Sequence, residues 1–214
     1  MGFAPDPWAF TPWEYADQGR FGGRWDDPHG MWRSVYAGQS RLACLLEVLA
    51  RFRVSPDLLA LYAELDEEAT AAPTLPPGQV PREWLGPRMT STARLSGHFV
   101  IPGDGQSLST LRKRFAAEAL RQGCHEIDTA VIRDARPRGL TQAMASWFYM
   151  HEPLAGVEYT SRHADELVLW AIFERSHDDA HSVALDQKRA GETLSADDTE
   201  MREAMRLLHL AWER

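Results

Sequence analysis

The 214-residue chain reads as an α+β domain, and three observations predict it. Stretches with strand and helix periodicity alternate irregularly, without the strict strand–helix–strand rhythm of a doubly wound sheet. Hydrophobic residues make up 44% and charged residues 25%, the balance of a globular chain long enough to bury a core. No internal repeat is visible, and no run approaches the roughly eighteen apolar residues of a membrane span.

Residues 1–17, with Pro5, Pro7, Trp8, Phe10, Pro12 and Trp13, predict an ordered arm that packs irregularly. Gly19–Gly30 is a loop, with five of its twelve residues glycine or proline. Met31–Ala37 predicts a strand. Ser40 caps a helix running to about Arg53, on which Leu42, Leu45, Leu46 and Leu49 share a face. A second helix is predicted over Pro56–Glu67. Five prolines (73, 76, 77, 81 and 87) make residues 69–91 a loop or insertion without a regular element.

Leu95–Ile101 predicts a strand, and Leu108–Gln122 a helix capped by Ser107 or Ser109 and stopped by Gly123. Leu140–His151 is a further helix, with Leu140, Met144, Trp147 and Phe148 facing inward. Gly156–Thr160 and Leu167–Phe173 read as strands, the latter apolar enough to be central, and Val183–Asp186 as one more. Ser195-Ala-Asp-Asp198 predicts a capping box that opens a C-terminal helix to about Trp212.

A formal charge of −8 argues against a general nucleic-acid binder. Between Gln18 and Arg53, however, six arginines face three acidic residues, a local charge of +3 that leaves −11 elsewhere. That glycine-bearing stretch suits an anionic ligand; the alternative is a set of solvated surface arginines. The N-terminus, MGFAPDPWAF, lacks the basic and apolar regions of a signal peptide, so a soluble cytoplasmic protein is expected. Cys44 and Cys124 stand far apart and read as free thiols, with one disulfide as the alternative. His177 and His181 have an i, i+4 spacing but lie in loop-like text with no third ligand, so no metal site is expected. Gly22-Gly23 lacks the later spacing of a dinucleotide fingerprint or a P-loop.

Four pieces carry chemistry. Gly22-Gly23-Arg24-Trp25 is followed after ten residues by Tyr36, and after ten more by Glu47 on the apolar helix; Ser161 follows the strand at 156–160. This order resembles the RES-domain family, named for its arginine, glutamate and serine. The stretches Leu140–Trp147 (LTQAMASW) and Gly156–Ser161 (GVEYTS) resemble it too. The resemblance spans roughly residues 18–174. It leaves 1–17 as an arm and 175–214 as a C-terminal extension of the same globular unit. Two features depart from the family pattern: Asp26 stands where asparagine is usual, and the proline-rich 69–91 segment is long.

The resemblance implies an ADP-ribosyltransferase-like fold, a central split β-sheet core with surrounding helices. It also implies an NAD-degrading enzyme, glycohydrolase or phosphorylase, acting as a toxin that a helix-turn-helix antitoxin silences. The alternatives are an ADP-ribosyltransferase acting on a macromolecule and a catalytically silent interaction domain. NAD is then substrate, with no cofactor, inorganic phosphate competes with water as acceptor, and neither a membrane nor nucleic acid is bound. The residue types suit that chemistry. Nicotinamide leaves cationic NAD as a neutral pyridine and needs no general acid, so the protein must grip the pyrophosphate and stabilise the cationic sugar. Arg24 offers a planar fork to phosphate or ribose. Glu47 answers the charge on the reacting sugar, Tyr36 packs and hydrogen-bonds beside the nicotinamide ribose, and Trp25 joins Arg24, Tyr36 and Ser161 in binding NAD. Ser161 orients substrate or Glu47 and is not a nucleophile, because nothing places His163 as its base.

Each residue also has an ordinary reading. Arg24 bridges Asp26 or Asp27, Glu47 pairs with Arg51 one helical turn on, Tyr36 is a satisfied strand residue, and Ser161 is a turn residue. A partner segment that blocks NAD at the Gly19–Gly30 entrance would account for inhibition by an antitoxin.

Overall fold

A computed structural model describes residues 1–54, 78–134 and 136–213. The helix expected over Pro56–Glu67 and the segment 69–77 lie outside the described residues. Among those described, strands and five α-helices mix in an α+β arrangement. The central sheet has four strands: Ser34–Gly38 (β2), Val168–Phe173 (β8), Leu154–Thr160 (β7) and His98–Val100 (β6), in that spatial order. β8 pairs antiparallel with both neighbours, and β6 closes the sheet in parallel with β7. The apolar strand is therefore interior, as its composition requires.

Strand alternation divides the core. Val35 and Ile172 point to one face, where Trp8 and Phe10 of the N-terminal arm and Ala184 and Leu185 cover them. Val157, Tyr159, Leu169, Ala171 and Phe173 point to the other face, into the larger core built by the helices. Those helices include Arg41–Leu49 (α1), Gly105–Arg121 (α2) and Arg138–Tyr149 (α4). The arm is ordered, as expected, but not wholly irregular: Gly2–Phe3 pairs with Arg88–Thr90, which also pairs with Glu192–Thr193. Among the described residues no helix is long and apolar enough to cross a membrane.

The sequence expectations differ from the structure mainly at boundaries. The first sheet strand starts at Ser34 instead of Met31, because the Met31 amide donates to the Asp27 side chain and the Arg33 amide to that of Glu174 instead of to a neighbouring strand. The expected strand at 95–101 is split by Gly97 at φ +116°. Arg94–Leu95 pairs with Leu185–Asp186, and His98–Val100 joins the central sheet. Asp104, not a serine, caps α2, accepting from the Gln106 and Ser107 amides at 2.8 and 3.0 Å. A short helix, Thr129–Arg133 (α3), was not anticipated.

The tail of the proline-rich segment is regular, contrary to expectation: Gln79–Val80 is a strand, Arg82–Trp84 a 3-10 turn, and both Val80 and Trp84 are buried. The C-terminal helix is Thr199–Leu207, shorter than expected. Asp198 accepts from the Ser195 amide at 2.9 Å, the reach-back half of the anticipated capping box, but the helix opens only after Asp198. His209 at φ +55° and the 2.8 Å bond from the Leu210 amide to the Met205 carbonyl end the helix. Ala211–Trp212 then pairs in parallel with Gln79–Val80.

Candidate active site

Tyr36 lies in the middle of β2, opposite Ala171 on β8, so alternation turns it toward the helical core. Glu47 lies on α1, whose entry Ser40 fixes by accepting from the Ala43 amide at 3.1 Å. Leu45, Leu46 and Leu49 anchor that helix in the core and leave Glu47 at the border of the buried stripe. Arg24 comes from the Gly19–Gly30 loop. The three side chains, widely spaced in sequence, line one cavity of about 410 Å³.

One face of α4 holds the loop in place. Arg138 donates to the Gly22 carbonyl, Gln142 to the Gly23 carbonyl at 2.9 Å, and Ser146 to Asp27 at 3.4 Å. Their spacing of four residues is that of a single helix face. The LTQAMASW stretch thus meets the GGRW stretch directly. The two aspartates complete the attachment: Asp26 accepts from the Gly23 amide, and Asp27 from the His29 and Met31 amides. The entrance loop is therefore pinned along its length.

Glu47 does not pair with Arg51. Its Oε1 accepts a 2.6 Å hydrogen bond from Ser161, which is fully buried immediately after β7. The Ser161 hydroxyl oxygen also accepts from the His163 amide at 3.0 Å, so its own proton is committed to Glu47. The His163 ring donates nothing to Ser161; its Nε2 is buried without a partner, and burial lowers its pKa. Ser161 is thus held as a donor to the carboxylate, and the His163 imidazole does not take its proton.

Arg24 bridges neither Asp26 nor Asp27. Its guanidinium donates to the Ile132 carbonyl at 3.2 Å and lies 5.5 Å from the Tyr159 ring centroid. Burial lowers its pKa, opposed by Tyr159 and Glu47, and a guanidinium stays cationic under such a shift. Trp25 requires a correction. It is fully buried, 5.9 Å from Tyr159 and 6.4 Å from Phe148 between ring centroids, and does not line the cavity. Ser161, equally buried, does not line it either.

Sequence reasoning missed three of the five charged side chains that line this cavity. Arg51, Arg138 and Arg162 stand exposed at its rim, and Tyr159 forms part of its wall. Each had a signal: Arg51 lies one turn beyond Glu47, Arg162 next to Ser161, and Arg138 two residues before the LTQAMASW stretch. Four guanidiniums thus surround one carboxylate, an arrangement for an anion that also carries a group needing negative charge beside it. Outside the cavity, His181 pairs with Asp6 at 2.5 Å, and among the described residues no cluster of metal-ligating side chains is present. Cys44 lines the cavity and Cys124 donates to the Glu126 carbonyl; both are free.

Fold and site together define an α+β protein with an arginine-rimmed, carboxylate-bearing cleft. The RES-domain family model matches residues 3–196, nearly the whole chain, and the protein belongs to that family. The match reaches past the motif-bearing stretch on both sides, into the arm and the C-terminal region. No curated protein and no solved structure matches the chain.

Proposed function

We propose that the protein is an enzyme of ADP-ribosyltransferase-like fold that cleaves the nicotinamide–ribose bond of NAD. The observation that carries this reading is the Glu47 carboxylate, fixed by Ser161 inside a cavity where four arginines converge. A volume of about 410 Å³ is that of a small-molecule site. The rim arginines Arg51, Arg138 and Arg162 take the pyrophosphate, and Arg24 takes the inner phosphate or ribose. Tyr36 meets the nicotinamide ribose. Glu47 lies against the reacting sugar, where one charge-assisted interaction supplies on the order of 2–4 kcal/mol to a cationic transition state.

As the C1′–N bond breaks, its electron pair goes to the nicotinamide ring, which leaves neutral. Water or inorganic phosphate then adds at C1′ and gives up a proton. Such an enzyme depletes its host's NAD, so the reading includes a cytoplasmic toxin restrained by a helix-turn-helix antitoxin whose segment occupies the cleft.

The test is incubation of purified protein with NAD, with and without phosphate, followed by identification of products. Free nicotinamide is expected, accompanied by ADP-ribose for hydrolysis or, for phosphorolysis, ADP-ribose phosphorylated at that same C1′ carbon. Labelled ADP-ribose on protein or nucleic acid would shift the reading to a transferase. NAD left intact would overturn it and leave a silent interaction domain.

A further inference from the structure

Beneath the cavity floor, a buried carboxylate decides which way the Tyr36 hydroxyl points. Asp26 is 5% exposed, and its two oxygens face two donors. The Gly23 amide donates to one, and the Tyr36 hydroxyl donates to the other at 2.8 Å. The Tyr36 oxygen in turn accepts from the Trp25 amide at 3.1 Å. An amide only donates, so Trp25 cannot supply an acceptor for the tyrosine proton. The convergence is tight: a Cβ on Gly23 would sit 2.4 Å from both Asp26 Oδ2 and the Tyr36 oxygen. Only glycine at position 23 lets the three groups meet.

We infer that Asp26 is a positioning residue of this site, holding the Tyr36 proton away from the cavity so that Tyr36 meets its ligand as a hydrogen-bond acceptor. Asp26 answers the Gly23 amide and the Tyr36 hydroxyl each with an acceptor oxygen. An asparagine has one acceptor oxygen; with that oxygen on the Gly23 amide, its NH₂ faces the Tyr36 oxygen and the hydroxyl proton turns toward the cavity. With its proton spent inward, Tyr36 has one lone pair left for a ligand hydroxyl, as on a ribose, and cannot protonate a leaving group. That the ligand is NAD rests on the function proposed above; the proton's position does not.

The test therefore has two readouts. With ¹³C-labelled aspartate carboxyls, the resonance missing from Asp26→Asn identifies Asp26. At neutral pH it is expected at the shift of an ionised carboxylate, and it should move in Tyr36→Phe. A resonance at the protonated position would overturn the inference, because Asp26 would then supply the proton and free that of Tyr36 to face the cavity. Kinetically, Tyr36→Phe and Asp26→Asn should each lower kcat about tenfold with KM little changed. The double variant should be no worse than Tyr36→Phe alone. Additive losses would show that Asp26 acts independently of Tyr36 and would also overturn it. If Asp26→Asn fails to fold, wild type and Tyr36→Phe still decide by the carboxyl resonance that shifts between them. If wild type leaves NAD intact, the NAD reading fails while the resonance still decides where the proton lies.

Discussion

The Ser161 hydroxyl lies 2.6 Å from Glu47 Oε1, joining residues 114 positions apart, and the His163 amide fixes the direction of that bond. Glu47 consequently has one oxygen tied to the protein and the other left for the cavity. A helical carboxylate that would otherwise swing toward Arg51 is held as part of the site.

Replacing Ser161 by alanine removes that tie and leaves the half-buried His163 amide without its acceptor. Stability should fall by about 1–3 kcal/mol, measurable by urea denaturation. NAD turnover should drop roughly tenfold, since Glu47 is then free to pair with Arg51. Undiminished turnover would show that Glu47 is positioned by other means.

Glu47→Gln should abolish cleavage while leaving the fold intact. The amide oxygen still accepts from Ser161, so packing is kept, but the negative charge beside the sugar is gone. A loss of at least about 10²–10³-fold in kcat is expected. A folded variant with near wild-type turnover would remove Glu47 from the mechanism.

Arg24→Lys keeps the charge and loses the fork. The guanidinium spends one arm on the Ile132 carbonyl and stacks toward Tyr159, and an ammonium cannot do both while reaching a phosphate. KM for NAD should rise about tenfold in steady-state assays. Normal KM would transfer the phosphate-binding role to the rim arginines.

The pH dependence follows from Asp26. Burial is the largest influence and raises its pKa above the usual 3.8; bonds from Tyr36, Gly23 and Ser34 and the charge of Arg138 oppose the rise. Tyr36, itself pushed well above 10, keeps its proton. Because the folded pKa exceeds the unfolded one, the folded chain takes up this proton first. The group's contribution to stability therefore grows as pH falls through the folded pKa and is least where Asp26 is ionised. Activity runs the other way, since protonation releases the Tyr36 proton toward the cavity. Wild type should gain stability relative to Asp26→Asn as pH is lowered, while its kcat declines on an acid limb that the variant lacks. Denaturation and rate profiles over the same pH range check both directions.

Much of the fold was legible because its signals are local. The Leu45-Leu46-Leu49 stripe, the apolar run at 168–173 and the glycine stop after α2 each act through nearest neighbours. The misses came where a distant partner overrode the local pattern. Glu174, remote in sequence, takes the Arg33 amide and delays a strand. Gln79–Val80 finds a partner in the C-terminal residues, so a segment with no strand signal becomes one.

By itself, the sequence determined the α+β class, the family, and the set Arg24, Tyr36 and Glu47 as a unit, because spacing along one loop, strand and helix is a local matter. Tertiary structure alone decided what those residues do to one another. Whether Glu47 bonds Ser161 or Arg51, whether Trp25 faces ligand or core, and which further arginines share the cavity all depend on chain segments brought together by packing. Hydrogen bonds and charges act over a few ångströms of space and are indifferent to separation along the chain.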